Sequence, residues 1–244
     1  MTAHLRGAAV SAAVLAAVMA VVPLPLARAA QPPMFDAQRL RTGTFHYDVR
    51  AGNQVVASGR LEIPRASGGR VAFAGTFTAV VCQHWESAAT SAFTPIAASL
   101  RFCKDGTDRR IFDLTYDGRR VTGVATGPAP ARAERPVEAT VPEDTVDQRI
   151  DWAAVMALDL APGRSFAFHV YDPGTGVTPL VGRVDGRETV TAAGTTYEAY
   201  RLVYEMRKAS GVEAYMSRVT VATPRVLLGI RFPNGTTSTL LSIE

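Results

Sequence analysis

Tyr200-Arg201-Leu202-Val203-Tyr204-Glu205-Met206-Arg207 is the stretch that decides the fold class. Tyr200, Leu202, Tyr204 and Met206 fall at every second position, opposite Arg201, Val203, Glu205 and Arg207. Side chains alternate between the two faces of a strand but recur every 3.6 residues round a helix. A period of two with one apolar row therefore marks a strand with one buried face. The pattern extends through the chain. Phe45, Tyr47 and Val49 oppose His46, Asp48 and Arg50. Ala57, Gly59, Leu61 and Ile63 oppose Ser58, Arg60 and Glu62, and Val71, Phe73, Phe77 and Ala79 continue the row. Strands are also expected over Ile96–Cys103, Arg109–Tyr116, Arg119–Ala125 and Thr236–Ile243. Phe166, Phe168 and Val170 form one further row, and Val226, Leu228, Ile230 and Phe232 another. Turn signals separate them: Ala51-Gly52-Asn53, Ser67-Gly68-Gly69, Asp105-Gly106, Asp117-Gly118 and Asn234-Gly235. Asp-Gly and Asn-Gly suit the positive φ angles of tight hairpins.

Two stretches break the pattern. Gln83–Thr94 is small and polar and reads as a connection. Residues 127–142 carry Pro128, Pro130, Pro136 and Pro142, which cannot hold a sheet ladder, and read as an extended crossover. One helix is expected next. Asp144 or Thr145 can cap it, Ile150, Ala154 and Leu158 lie at helical spacing, and Pro162-Gly163 stops it. Trp152 reads as a helix residue packed on the sheet. The expected fold is mostly β: an antiparallel, closed or partly open β-barrel-like sheet with one short central helix covering an open end or edge. The apolar rows are short and the opposite rows charged, which argues against an outer-membrane barrel with an unbroken lipid-facing band.

The N-terminus reads differently. His4 and Arg6 precede an uncharged run from Gly7 to Leu26; Pro23 and Pro25 interrupt it, and Ala27-Arg28-Ala29 supplies small residues at a cleavage site. This is the three-part pattern of a secretory signal peptide over residues 1–29, with cleavage after Ala29 or Ala30. A transmembrane anchor is the alternative, but the Ala-rich run is marginal for a span. The expected organisation is a leader at 1–29 and a single all-β domain at 30–244, periplasmic or secreted and not membrane-spanning after cleavage.

Composition sets further limits. The chain has 244 residues, 47% apolar and 20% charged, which excludes a wholly disordered chain. Arg6 and Arg28 leave with the leader and no acid goes with them, so the formal charge falls from +4 to about +2. A nearly neutral protein lacks the electrostatic footprint of a nucleic-acid binder. The two cysteines, Cys82 and Cys103, point to a disulfide in an exported chain. The alternatives are free thiols or a metal site made with His84.

The second half resembles an exported bacterial family, the domain of unknown function number 3108. Asp147, followed by the helix and Leu160-Ala161-Pro162-Gly163, is similar to that family's "Asp … Leu-x-Pro-Gly" step before a strand. Gly186-Arg187-Glu188-Thr189-Val190 with Ala193-Gly194-Thr195-Thr196-Tyr197-Glu198-Ala199-Tyr200-Arg201 resembles its "Arg-Glu … Gly-Thr-Phe-Glu-Ala-Tyr-Arg" hairpin. Pro224-Arg225-Val226, Asn234-Gly235 and the closing Leu241-Ser242-Ile243-Glu244 also fit. Tyr47-Asp48-Val49, Thr94-Pro95 and Tyr116-Asp117-Gly118 are looser echoes. The family usually has an aromatic residue, often Trp, in the strand held here by Ala214-Tyr215-Met216-Ser217, and the cysteine pair is not a family feature. The resemblance implies an envelope-exposed antiparallel β-structure and no established activity.

Catalytic signals are weak. No Gly-x-Ser-x-Gly, His-x-x-x-His or Cys-x-x-Cys spacing occurs. His46 and His169 fall on outward rows. His84, beside Trp85 and Glu86 and close to Cys82, is the least weak enzyme candidate. No catalytic residue, metal or cofactor is assigned. The inward rows suggest instead a barrel interior that holds an apolar or amphipathic, lipid-like ligand, with Phe166, Phe168, Tyr200, Leu202, Tyr204 and Met206 as its candidate contacts. The alternative is a structural module that docks onto another envelope protein, using the 83–94 stretch or the Pro-rich crossover.

Overall fold

The apolar rows become the inner face of one antiparallel sheet. The computed structural model describes residues 34–79, 81–104, 107–127 and 132–244. The leader at 1–29, its cleavage site and the Asp105-Gly106 turn lie outside the described residues. The strands are β1 (Gly43–Ala51), β2 (Gln54–Ile63), β3 (Arg70–Thr78), β4 (Cys82–Thr90), β5 (Pro95–Lys104), β6 (Thr107–Asp117), β7 (Arg120–Thr126), β8 (Glu134–Thr140) and β9 (Thr145–Asp147). A 3-10 turn (Gln148–Ile150) leads into helix α1 (Asp151–Ala157). There follow β10 (Ser165–Asp172), β11 (Gly176–Ala192), β12 (Thr195–Lys208), β13 (Gly211–Thr220), β14 (Leu227–Arg231) and β15 (Thr237–Ile243).

The strand order is β8-β7-β6-β5-β4-β3-β2-β1-β15-β14-β13-β12-β11-β10-β9. The chain starts in the middle, works out to β8, crosses to the far end at β9 and returns until β15 pairs with β1, Phe45 opposite Ile243. Neighbours are antiparallel except β9 and β10. Of the closed and partly open forms expected, the hydrogen-bonded ladder takes the open one: β8 and β9 are the two ends of the sheet and do not pair. Yet only residues 141–144 separate them, a span of about 18 Å at most. The sheet therefore curls until its ends are near each other.

Helix α1 lies against β9, an end strand of the sheet, and is deeply enclosed. Trp152 through Ala157 are all buried. A helix apolar all round is enclosed by protein, and α1 shares one core with residues of β1–β4 and β10–β15. Its boundaries also differ from the sequence expectation. Asp147, rather than Asp144 or Thr145, accepts the Arg149 backbone N–H that opens the 3-10 turn. At the other end Arg225 donates to the carbonyls of Met156 and Leu158, and the Asp36 N–H donates to the Ala157 carbonyl. These partners satisfy carbonyls that a helix end leaves free, so the helix stops short of Pro162.

Two further expectations are corrected. Gln83–Thr94 is mostly strand, since β4 pairs with both β3 and β5. Its inward positions are Trp85, Ser87 and Ala89, and two of those are too small to register as an apolar row. The crossover at 127–142 contains β8, with Pro136 in register with Val124. Proline lacks the N–H that a central strand must donate, but β8 is an end strand and pairs on one side only. Residues 128–131 lie outside the described residues. In addition, β14 is covered on both faces, because Leu227 and Gly229 are buried as well as Leu228.

Glycines make room for the large inward rings. A Cβ on Gly75 would stand 2.3 Å from the Trp85 ring, and one on Gly182 would stand 2.6 Å from the Phe166 ring. Phe73 meets Phe93 at 5.7 Å and Trp152 edge-on at 6.3 Å between centroids. The predicted outcome for Gly75→Ala is a loss of about 1–3 kcal/mol by urea denaturation, the usual range for overpacking, with partial recovery in Gly75→Ala/Trp85→Leu. An unchanged midpoint for the single variant would show that the inner face is loosely filled.

Candidate functional site

The six residues expected to contact a ligand come together, but around the helix. Phe168, Tyr200, Leu202, Tyr204 and Met206 are buried in the core that holds α1, and half-buried Phe166 packs against it. The polar tip of Tyr204 is already partnered, 2.9 Å from Ser217 Oγ, and its ring stacks on Tyr215 at 5.4 Å. Tyr200 lies beneath the guanidinium of Arg187 at 5.3 Å.

The histidines sit on the outer face. His84 Nδ1 is 3.3 Å from Thr76 Oγ1, and Nε2 is 3.4 Å from Glu86 Oε1. His169 Nδ1 is 2.7 Å from Asp144 Oδ1. The Thr76 hydroxyl is the one potential nucleophile in these contacts. Cys82 and Cys103 face each other across β4 and β5 and form a disulfide, so the metal reading with His84 loses its thiol ligands. Among the described residues no group of three or more His, Cys, Asp or Glu is placed to hold a metal ion.

A buried polar cluster that the sequence did not reveal joins the two ends of the sheet. Asp147 on β9 is fully buried. It accepts from Tyr116 on β6 at 2.8 Å and from Arg149 in a bidentate pair, Nε to Oδ1 and Nη2 to Oδ2, each 2.8 Å. Arg149 also donates to the Tyr171 carbonyl at 3.0 Å, pairs with Asp172 at the end of β10 and lies 4.6 Å over the Phe112 ring. Burial works against the Arg149 charge, but Asp147 and Asp172 outweigh it and raise its pKa. Burial, with the Asp147 charge, drives Tyr116 far above the ordinary phenol range. Both Asp147 oxygens and all three Arg149 nitrogens are engaged within the cluster, which ties β6, β9 and β10 together.

Asp151 heads the helix. Burial pushes its carboxyl up to about 7, partly offset by the Trp152 N–H it accepts and by Arg149.

The open site lies on the outer face of β2–β6. Glu62, Ala74, Glu86, Ser99 and Asp113 stand in one register line across five strands. The next row is Ala72, Ala88 and Ala97. These small side chains leave a groove of about 560 Å³, bounded at one end by Pro64. That volume falls within the usual range for small-molecule sites. On the far side of the carboxylates runs a row of Arg60, Thr76, His84, Arg101 and Arg110. The sequence hid this site because it depends on β4, which reads as a connection.

Fold and site together define a curled antiparallel sheet filled by a helix, with an outer groove and no catalytic constellation among the described residues. The chain belongs to the family described as "Protein of unknown function (DUF3108)", whose model matches residues 34–241. Comparison with curated proteins found no match. The chain is similar to the β-barrel-like protein of domain of unknown function DUF1849 from Brucella abortus: TM-score 0.55, 10% identity, covering 84% of this chain and 98% of that one. That likeness supports the barrel-like fold. It is also similar to the hypothetical lipoprotein YmcC from Escherichia coli, with TM-score 0.33, 11% identity, and coverage of 84% of this chain and 86% of that one.

Two outcomes are predicted. Arg149→Leu strands the buried Asp147 charge and costs about 3–5 kcal/mol by chemical denaturation; a change below about 1 kcal/mol would contradict the cohesive role. Asp151 keeps its proton to about pH 7 when folded and to only about pH 4 when unfolded. The native state therefore binds more protons in that window, and this group's stabilising contribution falls as pH rises from about 4 to 7. Asp151→Asn retains an acceptor for the Trp152 N–H. It is predicted to be more stable than the parent at pH 8, by about 1 kcal/mol or more, and indistinguishable from it near pH 4. Parallel urea titrations at the two pH values check this.

Proposed function

We propose that the protein is a non-enzymatic binding protein of the cell envelope, periplasmic or secreted, whose amphipathic ligand lies in the outer groove. The leader pattern at residues 1–29 supports export. The observation that carries the binding reading is the alanine-floored groove of about 560 Å³. Apolar concavity with a few placed polar groups is the ordinary form of a ligand site. The interior rows support the reading less, because α1 and its neighbours occupy them.

The test is a titration of the protein with an environment-sensitive fluorescent amphipath. Saturable binding is expected, lost in Ala88→Trp, which fills the groove while leaving the inner face untouched. Saturable binding at equal strength in the variant would overturn the location, and the absence of saturable binding would overturn the function.

A second reading, a module docking onto another envelope protein, is favoured by exposed Val55, Val56, Val177 and Val212, which stand where β2, β11 and β13 leave their hairpin turns. Cross-linking in intact cells tests it; a recurrent partner that is lost in Val55→Ser/Val56→Ser supports docking, and no recurrent partner counts against it.

A further inference from the structure

The groove has a charge polarity that its size alone does not require. Its side walls carry three carboxylates, Glu62, Glu86 and Asp113, and no lysine or arginine lines it. The register places those carboxylates between the cationic row and the alanine row. Their existing partners all come from the cationic row: Arg60 for Glu62, His84 for Glu86 at 3.4 Å, and Arg110 for Asp113 at 3.2 Å. Each carboxylate is thus held from one side and faces the alanine row on the other. Glu86 is the least compensated, since its side chain is 67% exposed and its only partner among the described residues is a histidine, which carries charge only when protonated.

An occupant must therefore place apolar surface over Ala72, Ala88 and Ala97 and present a donor-rich cation to the carboxylate row. We infer that the ligand of the outer groove is a single-chain amphipath with a primary ammonium head, its chain along the alanines and its head among Glu62, Glu86 and Asp113. An ammonium offers three N–H donors and no acceptor, which suits acceptor-only carboxylates. A carboxylate or phosphate head would meet like charge, and a hydroxyl head brings a single donor and no positive charge. The inference rests on the proposed binding function and adds the ligand's chemical class.

The test is isothermal titration of the intact, disulfide-bonded protein at pH 7.5 with three probes of equal chain length, each below its micelle concentration: dodecylamine, dodecanol and dodecanoate. Dodecylamine is expected to bind about tenfold or more tightly than dodecanol, the equivalent of one hydrogen bond to a charged group, and dodecanoate more weakly than either. Glu86→Gln, a surface change, is expected to reduce the preference for the amine over dodecanol severalfold with the thermal midpoint unchanged. Equal affinity for the three probes, or an amine preference intact in Glu62→Gln/Glu86→Gln/Asp113→Asn, would overturn the head-group inference while leaving the groove as a site. Failure of all three probes to bind would overturn the groove reading itself, and this inference with it.

Discussion

The rest of the structure depends on the buried pairing of Asp147 with Arg149. A fifteen-strand sheet has two ends, and unpaired strand edges invite association with other chains. Here the ends are drawn together by side chains from both halves: Tyr116 and Phe112 from β6, Asp147 and Arg149 after β8, and Tyr171 and Asp172 from β10. Tyr171 belongs to the same small core as Val121 and Val137 of β7 and β8, so apolar packing accompanies the ion pair. A buried pair of charges is no cheap source of stability, because both must be desolvated. Its value here is positional. Trp152 Nε1 donates to the Arg149 carbonyl at 2.8 Å, so fixing Arg149 also fixes the head of α1. Arg225 fixes the tail. The helix is thereby held at both ends within the core that it shares with the sheet.

How much of this the sequence made legible follows from the range of each interaction. Strands with large inward residues, such as β1 and β12, announce themselves because alternation is local. The turns at Gly52, Gly118 and Gly235 were also visible, and each glycine has a positive φ. The disulfide partners could be paired because the chain has only two cysteines. By contrast, β4 was hidden by Ser87 and Ala89, which are buried but too small to announce an apolar row. Pro136 concealed β8, since edge position is a property of the whole sheet and not of the segment. The helix limits depend on Asp147 and on Arg225, the latter far away in sequence. The groove emerges only when five strands are set in register, which no local pattern encodes.

This distribution of packing bears on function. The inward residues that alternation offered to a ligand share one core with α1, and the histidines sit on the outer face, where His84 meets a threonine hydroxyl and a carboxylate. The outer surface, ordinarily the featureless side of a curled sheet, carries instead an organised sequence of rows: cations, carboxylates, alanines. Membership of the DUF3108 family and the likeness to the DUF1849 protein fix the architecture and leave the chemistry to be argued from these rows.

The central claim is that α1 is an enclosed, fully integrated part of the core rather than a lid over a cavity. Native-state hydrogen exchange of the Val155, Met156 and Ala157 amides tests it most directly. The account predicts that they exchange only through global unfolding, with a free energy and denaturant slope equal to those of the slowest β12 amides. Exchange through a local opening several kcal/mol lower, independent of denaturant, would show that the helix leaves the sheet, and the packed interior would have to be abandoned.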